Sequence, residues 1–333
     1  MSLWVRAVIA ATLAALCLPA FGADAPTILR QAYAAEKMLA YSAVLEVRTA
    51  GGPPAELKVW SSRGRKRMEY LSEPARGRVM IDDGHAVYWL DKAGKVAVFT
   101  PAPDAPERVD LVFRNYNVAS AGTDEVAGRK AIVVRVSPKH PPGPSRRLWI
   151  DQQTKLILRS ESYASDGTLK AASKTTSINL RPQLSEDLFR VPKGWRVQRP
   201  PAEEQNRWTA AELSKRLGIT VAEPGYVPPG FVLEGMYLVR MGGMGRQAAH
   251  VRYVDGLNSL SIFQRPAGPG PGRGRGGWGG WRWRGGRGAD TDQDVQSLGA
   301  VGRLVRVFRP GRMCVVVADL PEKELQKVAS SLP

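Results

Sequence analysis

From Ala131 to Val136, Ile132, Val134 and Val136 alternate with Ala131, Val133 and Arg135, the period of a strand with one strongly apolar face. Pro138 to Pro144 interrupt this pattern, and Arg147 to Ile150 resume it. Asp151 to Thr154 form a turn, Lys155 to Tyr163 a further strand, and Ser165-Asp166-Gly167 the next turn. Asn115 to Ile178 therefore reads as an antiparallel meander. Upstream, strands are predicted over 42–49, 55–61, 66–71, 77–81, 85–90 and 95–99, with turn chemistry at Gly51–Pro54, Asp82–Gly84 and Lys92–Gly94. Ahead of them, Ile28, Leu29, Ala32, Ala35 and Leu39 fall on one side of a helix over 25–39, capped near Thr27. Asp110 to Asn115 predicts a helical turn.

In Ala86-Val87-Tyr88-Trp89-Leu90 both alternating sets are apolar, which predicts a strand buried on two faces. Helices could cover one face while the other lines a cavity, for which Met68, Tyr70, Met80, Tyr88, Trp89, Phe99 and Trp149 are the candidate lining residues. The competing reading is an ordinary filled core, the commoner fate of aromatic strands.

A second unit begins downstream. Pro182 to Phe189 closes the meander as a short helical segment, Val191 to Trp195 ends the first domain, and Arg199 to Glu204 reads as a semi-rigid linker. Thr209-Ala210-Ala211-Glu212 is a capping box ahead of Leu213, Leu217 and Ile219. Strands are predicted over 232–240, 250–254, 259–264, 304–308 and 314–318, with a turn at Asp255-Gly256. Pro321 opens a last helix carrying Leu325, Val328 and Leu332 on one side. The domain plan is thus a leader at 1–23, a domain at 24–195, a linker at 196–207 and a smaller domain at 208–333.

Within the second domain, residues 266–288 are rich in glycine and cannot pack a core of their own. Arg273, Arg275, Arg282, Arg284 and Arg287 interleave there with Trp278, Trp281 and Trp283. Cations and amphipathic rings in this order suit an anionic membrane interface or a lipopolysaccharide headgroup, and also the Gly-Arg segments that bind RNA. A low-complexity insertion with no dedicated ligand has the same composition.

The N-terminus narrows that choice. Arg6 precedes an apolar run from Ala7 to Pro19, with small residues near Gly22, the pattern of a secretory leader. The run is short for a membrane span, and no other stretch approaches the ~20 apolar residues that one needs. Leu16 is too large for the small residue that precedes a lipidated cysteine, so Cys17 is not expected to carry lipid. Removal of the leader leaves Cys314 alone, a small buried hydrophobe in a strand, and no intramolecular disulfide. A net charge of +17 over 333 residues suits polyanionic partners, or serves solubility. Export removes nucleic acid from these partners and leaves envelope polyanions.

Catalytic signatures are missing. His85, His140 and His250 have no ligand-spaced neighbours, there is no G-x-S-x-G elbow, and Asp82-Asp83 and Glu203-Glu204 read as turn and linker acids. The glycine-rich stretch lacks the Lys-Ser/Thr of a phosphate loop. No cofactor is expected.

NYNV, VAGRKA, RLWID, LILRSE and DGTL within 115–169 resemble the N-terminal domain of the RseB/MucB family. PGYVPPGF at 224–231 and YVDGLNSLSIF at 253–263 resemble that family's small C-terminal domain, in the same order. The resemblance implies an α+β chain: a large curved antiparallel sheet, similar to the half-barrel of the lipoprotein carrier LolA, with covering helices, followed by a smaller α+β domain. It implies a non-enzymatic periplasmic regulator that binds the periplasmic segment of a membrane-anchored anti-sigma factor, shields it from proteolysis, and senses lipopolysaccharide or lipoprotein acyl chains. A lipid or lipoprotein carrier using the N-terminal cavity is the alternative. The 266–288 stretch is not expected from the family pattern.

Overall fold

The computed structural model describes residues 24–101, 105–241, 246–267, 293–297 and 302–333. The leader and Arg273 to Arg287 lie outside the described residues. Helix α1 (Ala25–Met38) leads into β1 (Tyr41–Thr49), β2 (Ala55–Ser62), β3 (Arg65–Tyr70), β4 (Val79–Asp82), β5 (Ala86–Asp91) and β6 (Val96–Pro101). Helix α2 (Ala105–Asn115) then precedes β7 (Tyr116–Val126), β8 (Arg129–Pro138), β9 (Ser145–Asp151), β10 (Ile157–Tyr163) and β11 (Leu169–Asn179). A 3-10 turn at Glu186–Phe189 and β12 (Arg196–Gln198) complete a sheet of order β12-β6-β5-β4-β3-β2-β1-β11-β10-β9-β8-β7. The sheet is open, its edges being β12 and β7, and all pairings are antiparallel except β12 on β6.

The second sheet follows two helices, α3 (Ala202–Gln205) and α4 (Ala210–Leu217). It contains β13 (Val232–Met241), β14 (Arg246–Val254), β15 (Ser259–Pro266), β16 (Gln293–Ser297), β17 (Arg303–Arg309) and β18 (Arg312–Ala318), ordered β13-β14-β15-β18-β17-β16, with α5 (Glu322–Ser330) closing the chain. The capping box forms as read, Thr209 and Glu212 exchanging hydrogen bonds at the start of α4, and Gly218 ends the helix in the left-handed conformation. Leu213, Leu325, Val328 and Leu332 are buried with Val251, Ile262, Val305 and Val316 in one core, and Cys314 lies inside it. The expected α+β architecture, a large open sheet followed by a smaller one, is therefore present.

Several local expectations are corrected. The cap of α1 is Asp24, whose Oδ1 accepts from the Thr27 amide, because Pro26 needs no partner in the first turn. The helical turn at 110–115 is the end of a longer helix. β8 is buried on both sides: Val134 and Val136 pack under α1 and α2 with Leu148 and Ile150, while Ala131 and Val133 are buried with Trp149. In β5 the two-sided burial fails, since Ala86 and Leu90 are buried while Val87 and Trp89 on the other face are half-exposed. The expected linker is partly structured, 196–198 joining the first sheet and Glu204 pairing with Arg240 of β13. β16 is not foreseen from sequence, because its five residues follow directly on the glycine-rich stretch.

Candidate functional site

Residues opposite one another in neighbouring strands share a face, and this rule sorts the cavity candidates. Met68, Met80 and Trp89 lie in one row with Val59 and Val98, and Tyr70, two residues from Met68, points the same way. Tyr88 and Phe99 pair with each other on the opposite face, their rings edge-to-face at 5.8 Å. There Tyr88 borders a separate cleft of about 290 Å³ with Arg65, His85 and Phe189. Trp149 lies in the row Val133–Trp149–Arg159–Lys174–Glu46, which alternates with the row of Leu45, Leu57 and Tyr70. It is 4% exposed, donates from Nε1 to Asp124 Oδ2 at 2.8 Å and is roofed by Arg159 at 4.1 Å, so it is a core residue under a polar cap. The register thus places Met68, Tyr70, Met80 and Trp89 on one face and Tyr88 and Phe99 on the other, while Trp149, in a row of the other parity, belongs to the buried cluster on which Met68 and Tyr70 pack.

The more developed site lies where the domains meet. The β14–β15 turn, Asp255-Gly256-Leu257-Asn258, is inserted against α2 and β7. Asp255 Oδ1 accepts from the amides of Leu257 (2.9 Å) and Asn258 (2.7 Å), an Asx turn that folds the loop on itself. Its Oδ2 is left to accept from the Tyr116 hydroxyl at 2.8 Å. Asn115 Nδ2 donates to the carbonyls of Asp255 (2.8 Å) and Gly230 (2.7 Å), binding two loops of the second domain with one amide. Gly256 has φ +111°, and a Cβ there would stand 2.6 Å from the Val112 amide, so only glycine allows this approach. Leu257 packs on the first domain's core beside Val112 and Tyr116.

A second tie lies at Asp319, just after β18. Its Oδ2 accepts from Lys170 Nζ at 3.0 Å and its Oδ1 from the Ser165 hydroxyl at 3.2 Å, both from the β10–β11 hairpin. Its carbonyl accepts from Asn258 Nδ2 at 2.9 Å, which links the two ties. Burial is the largest influence on the Asp255 carboxyl and pushes it above the ordinary carboxylate range; the donors from Asn258, Tyr116 and Leu257 offset it only in part. The Tyr116 hydroxyl is raised by burial and then by Asp255.

Beside these ties lies a groove of about 250 Å³ walled by both domains. Tyr116, Pro138, His140 and Pro141 face Tyr226, Pro228, Phe231 and Leu320, with Glu324 at one end accepting from the Tyr226 hydroxyl at 2.7 Å. Proline fixes its own φ and restricts the residue before it, so both walls are stiff. The volume falls below the range of small-molecule pockets, and it matches an anchor for one or two side chains of an extended segment. Sequence reasoning misses this site: Asp255-Gly256 reads only as a turn, and Asn115-Tyr116 only as the start of a motif.

Among the described residues there is no group of three or more His, Cys, Asp or Glu side chains that could hold a metal ion, and no helix long and apolar enough to cross a membrane. Residues 63–192 match the family model of the MucB/RseB N-terminal domain. The sigma factor AlgU regulatory protein MucB of Pseudomonas aeruginosa is 28% identical over 151 residues, 45% of this chain and 44% of that protein, so the match spans less than half the length of the curated relative. The crystal structure of MucB in complex with MucA(peri) shares the fold over 92% of this chain and 98% of that one, with a TM-score of 0.64 at 20% identity. A crystal structure of MucB does so over 93% and 98%, with a TM-score of 0.55 at 20% identity. Residues 63–192 thus match the MucB/RseB N-terminal domain, and the chain shares the two-sheet fold of MucB along nearly its whole length.

Proposed function

We propose that this protein is a periplasmic regulator that binds the periplasmic segment of a membrane-anchored anti-sigma factor and withholds it from proteolysis. The observation that carries the reading is the groove of about 250 Å³ at the domain junction, with walls from both domains and stiff, apolar and aromatic sides. Such a groove takes side chains from an extended peptide without ordering its own backbone, which lowers the entropic cost of binding. The net charge of +17 favours an acidic or amphipathic segment. The relative's name and the MucA(peri) complex are consistent with this partner class.

The decisive experiment is a pull-down of the leader-less chain with the periplasmic segment of a single-span anti-sigma factor from the same genome. Saturable binding that is weakened by Phe231→Ala supports the reading; full binding by a chain whose groove is blocked with Leu320→Trp would sink it. Release by lipid is the second half of the proposed activity, and it requires the lipid to bind the free protein more tightly than the complexed one. The candidate lipid face is the row of Met68, Met80 and Trp89 with Tyr70. That face also keeps a second reading open, a periplasmic lipid carrier, which predicts copurifying lipid and no peptide binding.

A further inference from the structure

Among the described residues, the hydrogen bonds that tie the second sheet to the first domain through Asp255 and Asp319 lie at one end of that sheet. The β13–β14, β15–β16 and β17–β18 connections leave from the other. Strands of nine or ten residues separate the two ends, about 30 Å at the usual rise per residue. The far end differs in chemistry from the tied one.

Across it run Arg265, Met313 and Phe308, opposite one another in β15, β18 and β17 and therefore on one face. Arg306 and Phe263 share that face two residues away, in the row of His250 and Val315. Arg246, at the start of β14, is exposed on the same side by the two-residue period of the strand, four residues before His250. Phe308 is 52% exposed, an aromatic ring presented to solvent among arginines. Burial, and after it the charges of Arg246 and Arg306, lower the proton affinity of Arg265, the signature of cations held close together. The helices α4 and α5 pack on the opposite face of this sheet, in the core around Val251 and Val316. On the face that carries Phe308, the side chains of Met313 and Val315 are buried with Leu304 in a smaller cluster, and Arg246 and Phe308 stand exposed at its edge.

We infer that this far end of the second sheet, with Arg246, Arg265, Arg306 and Phe308, is a docking surface for an anionic lipid bilayer. Charge complementarity supplies the attraction, because like charges held close together are relieved by phosphate-bearing headgroups. Phe308, 52% exposed, supplies the apolar edge that enters the headgroup boundary, as rings do at membrane interfaces. The surface lies on the side of the domain away from the junction, so docking there leaves the groove open to a peptide.

The test is cosedimentation of the leader-less full chain with phosphatidylcholine vesicles, with and without phosphatidylglycerol. Binding is expected only to the anionic vesicles and should weaken with added salt. The double variant R246E/R265E should lower partitioning at least ~10-fold, since each arginine near such a surface contributes about a fivefold gain. R48E, a reversal at an exposed first-domain site, should leave it unchanged. If the double variant misfolds, R246E alone, at an exposed residue, carries the test with about a fivefold loss. Equal binding to neutral vesicles, or undiminished binding by R246E/R265E, overturns the inference. So does capture of an acidic peptide by these arginines with no vesicle binding at all.

Discussion

Tyr116 and Asp255 meet across the domain junction, the hydroxyl of one donating to Oδ2 of the other at 2.8 Å with both residues buried. Each comes from a different sheet, so this bond reports directly on whether the domains are docked. The Asp255 carboxylate takes its hydrogen bonds from neutral donors, the Tyr116 hydroxyl and the amides of Leu257 and Asn258.

Removing one donor should therefore be costly. Tyr116→Phe leaves a buried carboxylate oxygen short of a partner, and we expect a loss of about 1–3 kcal/mol in urea unfolding. Gly256→Ala should be worse, because its Cβ would meet the Val112 amide at 2.6 Å in a backbone conformation unsuited to alanine. Equilibrium unfolding should then show two transitions where the parent chain shows coupled ones, and a single unchanged transition would contradict this view of the junction.

The same carboxylate makes docking pH-dependent. Its affinity for the proton is higher docked than undocked, so the docked state gains a proton as pH falls from neutral through the raised value toward the ordinary Asp range. Within that window acidification should favour docking, and above it the contribution is absent. Asp255→Asn should flatten this dependence, read as the pH profile of interdomain Förster transfer; a profile identical to the parent's would assign the effect elsewhere.

His250 acts in the opposite sense. It is stacked on Phe263 at 4.4 Å and bonded to Ser261 at 2.9 Å, and burial, with help from the Arg252 charge, lowers it to about 4. Between the ordinary His value and about 4 the unfolded chain takes up the proton and the folded one does not, so stability falls as pH falls through this range. The full effect is on the order of 3 kcal/mol, and His250→Phe should remove it from thermal melts recorded between those limits.

The sorting of aromatic residues between faces gives a further test. Met80→Lys places a charge on the face shared with Met68 and Trp89, and should abolish binding of a fluorescent fatty acid with little change in melting temperature, since Met80 is half-exposed. Tyr88→Ala, on the opposite face beside Ile81 and Val191, should lower stability by about 2–3 kcal/mol while binding persists. Equal losses of binding in both variants would mean that the faces are not functionally distinct.

A third electrostatic tie belongs to the first domain alone. Asp151 is 1% exposed and receives Arg129 Nε at 2.5 Å with Thr154 and Gln153 donating beside it. Burial alone would raise this carboxyl, but Arg129 and Thr154 outweigh it and hold it below the usual range. Arg129→Met should destabilise by about 3 kcal/mol by leaving a buried charge alone, and the deficit should shrink as acid protonates Asp151.

Much of the fold is legible in the sequence because its signals are local. Period-two alternation, turn residues and the Thr209–Glu212 capping box each act within a few positions, and the strands and helices that they mark are present. What escapes depends on partners far away in the chain. That Trp149 and Tyr70 stand in rows of opposite parity follows only from the register across six strands. Asp255-Gly256 can be read as a turn, but its need for glycine arises from Val112, some 140 residues earlier in the same set of contacts that joins Asn115 to Asp255. A glycine next to an acid in a turn is the available clue, and it carries no address.

Because the second sheet is held at one end, it is a lever. A rotation of about 10° at Asp255 and Asp319 would carry Phe308, some ~20 Å along the strands, through about 4 Å. A bond of 2.8 Å between Tyr116 and Asp255 does not survive much rotation, so the short arm would break its contact while the long arm swept a distance readable by a probe at Phe308. Molecular events at the junction are thereby magnified at the far end of the sheet, and a force applied at the far end is felt at the junction with the same mechanical advantage.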